Sequence, residues 1–100
     1  MRLRDFAKVV RSKNAGPRTL TLDLIFADEV DYRRALGSGR INPEAIGVLY
    51  SVPPDQVRVI PYPLSFAIKI ALPRRTTAGD PGDRDVYGAQ QHGLLADMTL

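Results

Sequence analysis

The residues best equipped for chemistry fall in three short stretches and one isolated pair. Arg11-Ser12-Lys13-Asn14 sets two cations, a hydroxyl and an amide side by side. Arg brings a planar fork of donors and Lys a compact point charge, so the set suits a carboxylate or a phosphate. It lacks the GxxxxGK[ST] pattern of a phosphate-binding loop. Its plainer reading is a solvated turn whose Asn14 bonds its own backbone. Arg74-Arg75-Thr76-Thr77-Ala78-Gly79 repeats the theme, as a loop that a backbone nest could turn toward an anion or that water could simply solvate. The third stretch carries Asp85, Tyr87, Gln90, Gln91 and His92. Because His92 is the sole histidine, any imidazole proton transfer rests on it. Asp23 and Lys69 are the isolated pair. Each sits at the centre of the polar face of a strand-like segment, either as a cross-strand structural pair or as a proton-transfer couple completed by another protein.

Several chemistries are excluded at this level. The chain has no cysteine, hence no disulfide, thiol nucleophile or cysteine metal site. One histidine without an HExxH motif builds no usual zinc site, and no serine lies in a GxSxG context. Asp80, Asp83 and Asp85 in GDPGDRD imitate a calcium loop, but the proline, the spacing and the missing terminal glutamate do not fit one. The expectation is a protein with no metal and no cofactor.

The elements that must position these groups follow from periodicity. Leu20, Leu22, Leu24 and Phe26 alternate as on a strand, which leaves Thr19, Thr21, Asp23 and Ile25 on its other face. Leu64, Phe66, Ile68, Ile70 and Leu72 alternate in the same way, opposite Ser65, Ala67, Lys69 and Ala71. Leu3, Phe6, Ala7 and Val10 keep helical spacing and predict an amphipathic helix, with a short strand over Ala7–Val10 as the alternative. Asp28 and Asn42 are placed as N-caps, the second followed by Pro43 and flanked by an Ile41–Ile46 staple. Val57–Ile60 reads as a short strand. The stretch Pro73–Arg84 reads as a long loop, and Leu94, Ala96, Met98 and Leu100 read as a final edge strand. Together these predict an α+β fold: a single small domain over residues 1–100, its mostly antiparallel sheet of three to four strands carrying two or three helices on one face.

With 44% hydrophobic and 25% charged residues the chain has a globular rather than a disordered composition. No apolar run approaches the ~20 residues of a membrane span, and Met-Arg-Leu-Arg-Asp lacks a signal peptide's apolar core, so a cytoplasmic protein is expected. The net charge of +3 is unevenly spread: residues 1–18 hold six basic residues against Asp5 alone. No aromatic RNA-binding pair or helix-turn-helix pattern accompanies this basic end, which weighs against nucleic acid and leaves an acidic partner.

The segments RSKNAGP, TLDLIF, IALPR and GDRDVYGAQQH, with the proline-punctuated middle between them, resemble one known family over nearly the whole chain. It is the small bacterial domain of unknown function associated with acyclic terpene utilisation (AtuA-like) proteins, as a separate short protein or fused to their C-terminal side. The resemblance implies a larger AtuA-like partner and a setting in the catabolism of branched or carboxylated small molecules. It carries over no catalytic residue. It raises Arg11, Lys13, Asn14, Asp85, Tyr87, Gln90, Gln91 and His92, with Arg74, as a ligand-binding group for an anionic metabolite. His92, Asp23 and Lys69 are the catalytic candidates. If the two long strands are antiparallel neighbours, Arg11–Pro17 and Asp85–His92 should meet at one rim.

The expected function is therefore a site-completing accessory subunit. The alternatives are a free-standing lyase, hydratase or isomerase acting on a carboxylate, and a regulatory binding module. The apolar residues Tyr62, Leu94, Leu95, Met98 and Leu100 look too many for a monomer's surface and predict self-association or docking to the larger partner.

Overall fold

The alternating leucines of residues 19–25 form an inner strand of the sheet in the computed structural model, which describes residues 2–16, 18–73 and 93–99. The elements are α1 (Leu3–Phe6), β1 (Val9–Asn14), β2 (Thr19–Ile25), α2 (Glu29–Gly37), α3 (Pro43–Tyr50), β3 (Arg58–Tyr62), β4 (Ala67–Pro73) and α4 (Gly93–Ala96). Single 3₁₀ turns at Pro54–Gln56 and Pro63–Ser65 flank β3. The four strands lie in the order β1-β2-β4-β3, and every neighbouring pair is antiparallel. The fold is α+β, as the periodicities predict.

The core lies on one face of this sheet. Leu20, Leu22 and Leu24 of β2 and Ile68, Ile70 and Leu72 of β4 are buried in one cluster with Tyr32 and Ala35 of α2, Ile46 and Tyr50 of α3, and Leu95 of α4. Burying each such aliphatic side chain stabilises the fold by about 1.5–3 kcal/mol relative to exposure. The register sets Leu22 opposite Ile70 and Leu24 opposite Ile68, so the two apolar stripes coincide. Both long helices start as the sequence predicts. The carboxylate of Asp28 accepts from the Asp31 N–H at 2.9 Å, and the Asn42 amide oxygen accepts from the Ala45 N–H at 2.8 Å. Each bond satisfies one of the donors that a helix start leaves without a partner. Ile41 and Ile46, the predicted staple, are both buried.

Four local expectations are corrected. The helical spacing from Leu3 to Val10 belongs to two elements: a single turn that buries Leu3, and a strand whose Val10 packs at the core edge. Val9 and Val10 are β-branched, and β2 offers Val9–Asn14 a full antiparallel ladder that no local helix could match. The second long strand begins at Ala67 rather than Leu64. Pro63 starts a 3₁₀ turn there, Phe66 takes a left-handed conformation at φ 50°, and Leu64 is left 98% exposed. This conformation costs a bulky residue free energy. Contacts of the Phe66 ring with Tyr32, at 6.2 Å between centroids, and with the core offset it. The end of the chain is not an edge strand: Gly93–Ala96 is a helical turn, and only Thr99 forms an isolated bridge, to Arg2. Finally, Leu95 is fully buried and Met98 packs on the core, so both leave the set of surface apolar residues. Leu94 and Leu100 lie outside the described side chains. Tyr62 does remain exposed, alongside Val30, Val48 and Leu64.

Candidate functional site

Strand geometry sorts the RSKN residues onto two faces. Ser12 and Asn14 stand opposite Leu22 and Leu20 and so share the helix-covered face, where Ser12 is buried. Arg11 and Lys13 stand opposite Asp23 and Thr21 on the face turned away from the described helices. The predicted polar corner is thus a strand, and Asn14 does not belong with the two cations. The physical reason is the side-chain period of 2, which separates neighbours that a turn would have gathered.

The outward face gathers other groups in their place. Its central row runs Arg11–Asp23–Lys69–Ile60 across the four strands, and the next row runs Lys13–Thr21–Ala71–Arg58. Among the described strand residues, four cations therefore share this face with one carboxylate, Asp23. The Arg11 Nε–H donates to Asp23 Oδ2 at 3.3 Å, and the Asp23 side chain is only 18% exposed. Lys69 lies directly opposite Asp23 in register, the neighbour relation that alternation predicts. Asp23 nevertheless forms its ion pair with Arg11. Among the described residues neither Lys13, Lys69 nor Arg58 forms an ion pair. The Thr21 hydroxyl, buried between Lys13 and Ala71, donates to the Lys13 carbonyl at 3.3 Å, which ties β1 to β2 beneath the cations.

Neighbouring strands are about 4.8 Å apart, so Arg11 and Lys69 sit about 10 Å apart across Asp23. Lys69 and Arg58 are diagonal neighbours across β4 and β3, about 7–8 Å apart at the backbone. Flexible side chains of this reach can converge on one anion. The row beyond Asp23 is different in character: Val9, Ile25, Ala67 and Tyr62 face outward there. The outward face is therefore apolar at one end and cationic across its middle and other end.

The start of β2 and the end of β4 are directly paired, Thr19 with Pro73, as the rim expectation requires. Asn14 stands about 10 Å from Leu72, two strand spacings away. Arg74, Asp85, Tyr87, Gln90, Gln91 and His92 lie outside the described residues. Arg58 escaped the sequence reading because the register that brings β3 beside β4 has no local signal. Arg58 also stands alone among apolar and proline residues rather than in a basic run. Among the described residues no three His, Cys, Asp or Glu side chains gather as a metal-binding group, and no helix is long and apolar enough to cross a membrane.

Comparison with known proteins identifies a family and nothing more specific. No curated protein and no solved structure matches the chain. A family model described as "Domain of unknown function (DUF4387)" matches residues 3–99, nearly the whole length, and the chain belongs to that family.

Proposed function

We propose that this protein is a small accessory subunit that joins a larger AtuA-like protein and lends its cationic sheet face to a site for an anionic metabolite bearing a carboxylate or a phosphate. The observation that carries the reading is the concentration of Arg11, Lys13, Lys69 and Arg58 on the face turned away from the described helices, where Asp23 is the one carboxylate among the described strand residues. A surface of this kind supplies donors in excess of its own acceptors, which favours an anion. It is also a sheet face, and ligand clefts commonly form at interfaces, where a second protein would supply the opposite wall. Four like charges on one face oppose face-to-face pairing of two copies, so the occupant is an unlike partner. The absence of cysteine accords with work in a reducing cytoplasm.

Co-expression with the larger AtuA-like protein tests the reading. A stable complex in gel filtration that Lys13→Glu with Arg58→Glu abolishes, at unchanged melting temperature, is the expected result. A complex indifferent to both charge reversals would remove the sheet face from the interface. Turnover of a carboxylate substrate by the isolated chain would favour the free-standing lyase, hydratase or isomerase instead.

A further inference from the structure

At the cationic end of the outward face, β4 carries two small outward side chains, Ala71 and Pro73, between Thr19 of β2 and Arg58 of β3. The result is a notch of about 360 Å³ lined by Thr19, Gln56, Arg58, Ala71, Leu72 and Pro73. Its volume is at the lower bound of small-molecule sites. Three different elements hold its walls. Thr19 opens β2 opposite Pro73, Arg58 opens β3 opposite Ala71, and Gln56 ends the 3₁₀ turn between α3 and β3. That turn is pinned by the Gln56 N–H to Pro53 carbonyl bond at 3.0 Å and the Val57 N–H to Pro54 carbonyl bond at 3.1 Å.

The chemistry of the lining is divided. Arg58, Gln56 and Thr19 offer a guanidinium, an amide and a hydroxyl, while the side chains of Ala71 and Pro73 offer an apolar floor. Arg58 forms no ion pair among the described residues, and its planar donor fork matches the two oxygens of a carboxylate. We infer that this notch binds the carboxylate of a small organic acid, with the head group on Arg58 and Gln56 and the apolar body over Ala71 and Pro73. The inference rests on the proposed anion-binding role of the face and locates the head group within it. A carboxylate suits the notch because one guanidinium meets its two oxygens side by side, and because the floor rewards attached carbon. An inorganic anion would gain nothing from that floor.

The experiment is an amide-resolved NMR titration of the full chain with hexanoate, with hexanol and with inorganic phosphate in parallel. Hexanoate should shift the amides of residues 56–58 and 71–72 saturably. Arg58→Gln should weaken it by about tenfold, the factor a charge-assisted hydrogen bond is worth. Arg58→Lys, which keeps the charge but loses the fork, should fall between the two. Arg58 is exposed, so both variants should melt with the wild type, and the shift pattern of the remaining amides checks that they fold. Hexanol binding as tightly as hexanoate, or phosphate binding as tightly at the same amides, would overturn the assignment, as would no saturable response. Shifts confined to Arg11, Lys13 and Lys69 and indifferent to Arg58→Gln would also overturn it, while leaving the broader role of the face intact. Complex formation with the larger protein, measured separately, reports on the accessory role whichever way the titration falls.

Discussion

Gly47 and Gly37 should respond to the same substitution with opposite sign. Gly47 is buried in α3, and a methyl added there would stand 2.7 Å from the Val52 carbonyl oxygen and 3.5 Å from Pro54 Cα. Non-bonded carbons rest at about 3.5–4.0 Å, so the shorter contact is a clash. The obstacle is backbone, and it is held. The Val52 N–H donates to the Gly47 carbonyl at 2.9 Å, two prolines follow, and the next turn is closed by its own hydrogen bonds. No side chain can rotate to make room. Overpacking of this kind costs about 1–3 kcal/mol, whereas alanine's helical advantage over glycine is about 0.5–1 kcal/mol. Gly47→Ala should therefore lose about 1–2 kcal/mol, and for a domain of this size each kcal/mol is about 4–8 °C of melting temperature. Gly37, in the last turn of α2, has nothing within 4 Å of the corresponding position. Gly37→Ala should gain about 0.4–1 kcal/mol through the unfolded chain's lost freedom. Urea denaturation of both variants measures the pair. A Gly47→Ala midpoint at or above wild type would refute the close approach of α3 to the Val52–Pro54 backbone.

Three further outcomes are expected. Leu24→Ala removes a fully buried side chain between Val10 and Ile68 and should cost about 2–5 kcal/mol in the same denaturation assay. Ser51 closes α3 at φ 59°, in the left-handed region, and the Val52 N–H reaches back to Gly47. Ser51→Gly should therefore raise the thermal midpoint, by about 1 kcal/mol of stability, because a side chain in that conformation is strained. Burial pushes the Tyr50 phenol up from 10.0 to about 12, against a smaller opposite effect of a hydrogen bond with the Leu95 backbone. Between those values the unfolded chain loses the proton that the folded one keeps. Stability is then unaffected by Tyr50 below pH 10 and falls by about 1.4 kcal/mol per pH unit as the pH rises toward 12. Tyr50→Phe should flatten that alkaline slope in pH-dependent melts.

Local rules settled much of this fold. The alternation of Leu20, Leu22 and Leu24 and of Ile68, Ile70 and Leu72 names two strands and their buried face, because a strand's side-chain period is 2 wherever it lies. Asn42-Pro43 and Asp28 announce helix starts, because a cap is satisfied within a few residues of itself. The opposition of Asp23 and Lys69 was legible too, once the two strands were set as antiparallel neighbours.

Tertiary structure alone decided the rest, wherever the partner of a segment lies far along the chain. Val9–Asn14 is a strand because β2 pairs with it, and six residues with only two valines among polar neighbours carry too weak an alternation to say so. That pairing divides RSKN, sending Arg11 and Lys13 outward and Ser12 and Asn14 toward the helices. Leu64 and Phe66 continue an alternating pattern, yet the 3₁₀ turn at Pro63 and the left-handed Phe66 end the strand before them. Arg58 joins Lys13 and Lys69 on one face only through the registers of β3 on β4 and β4 on β2. A register is a relation between two distant segments, so neither segment specifies it by itself.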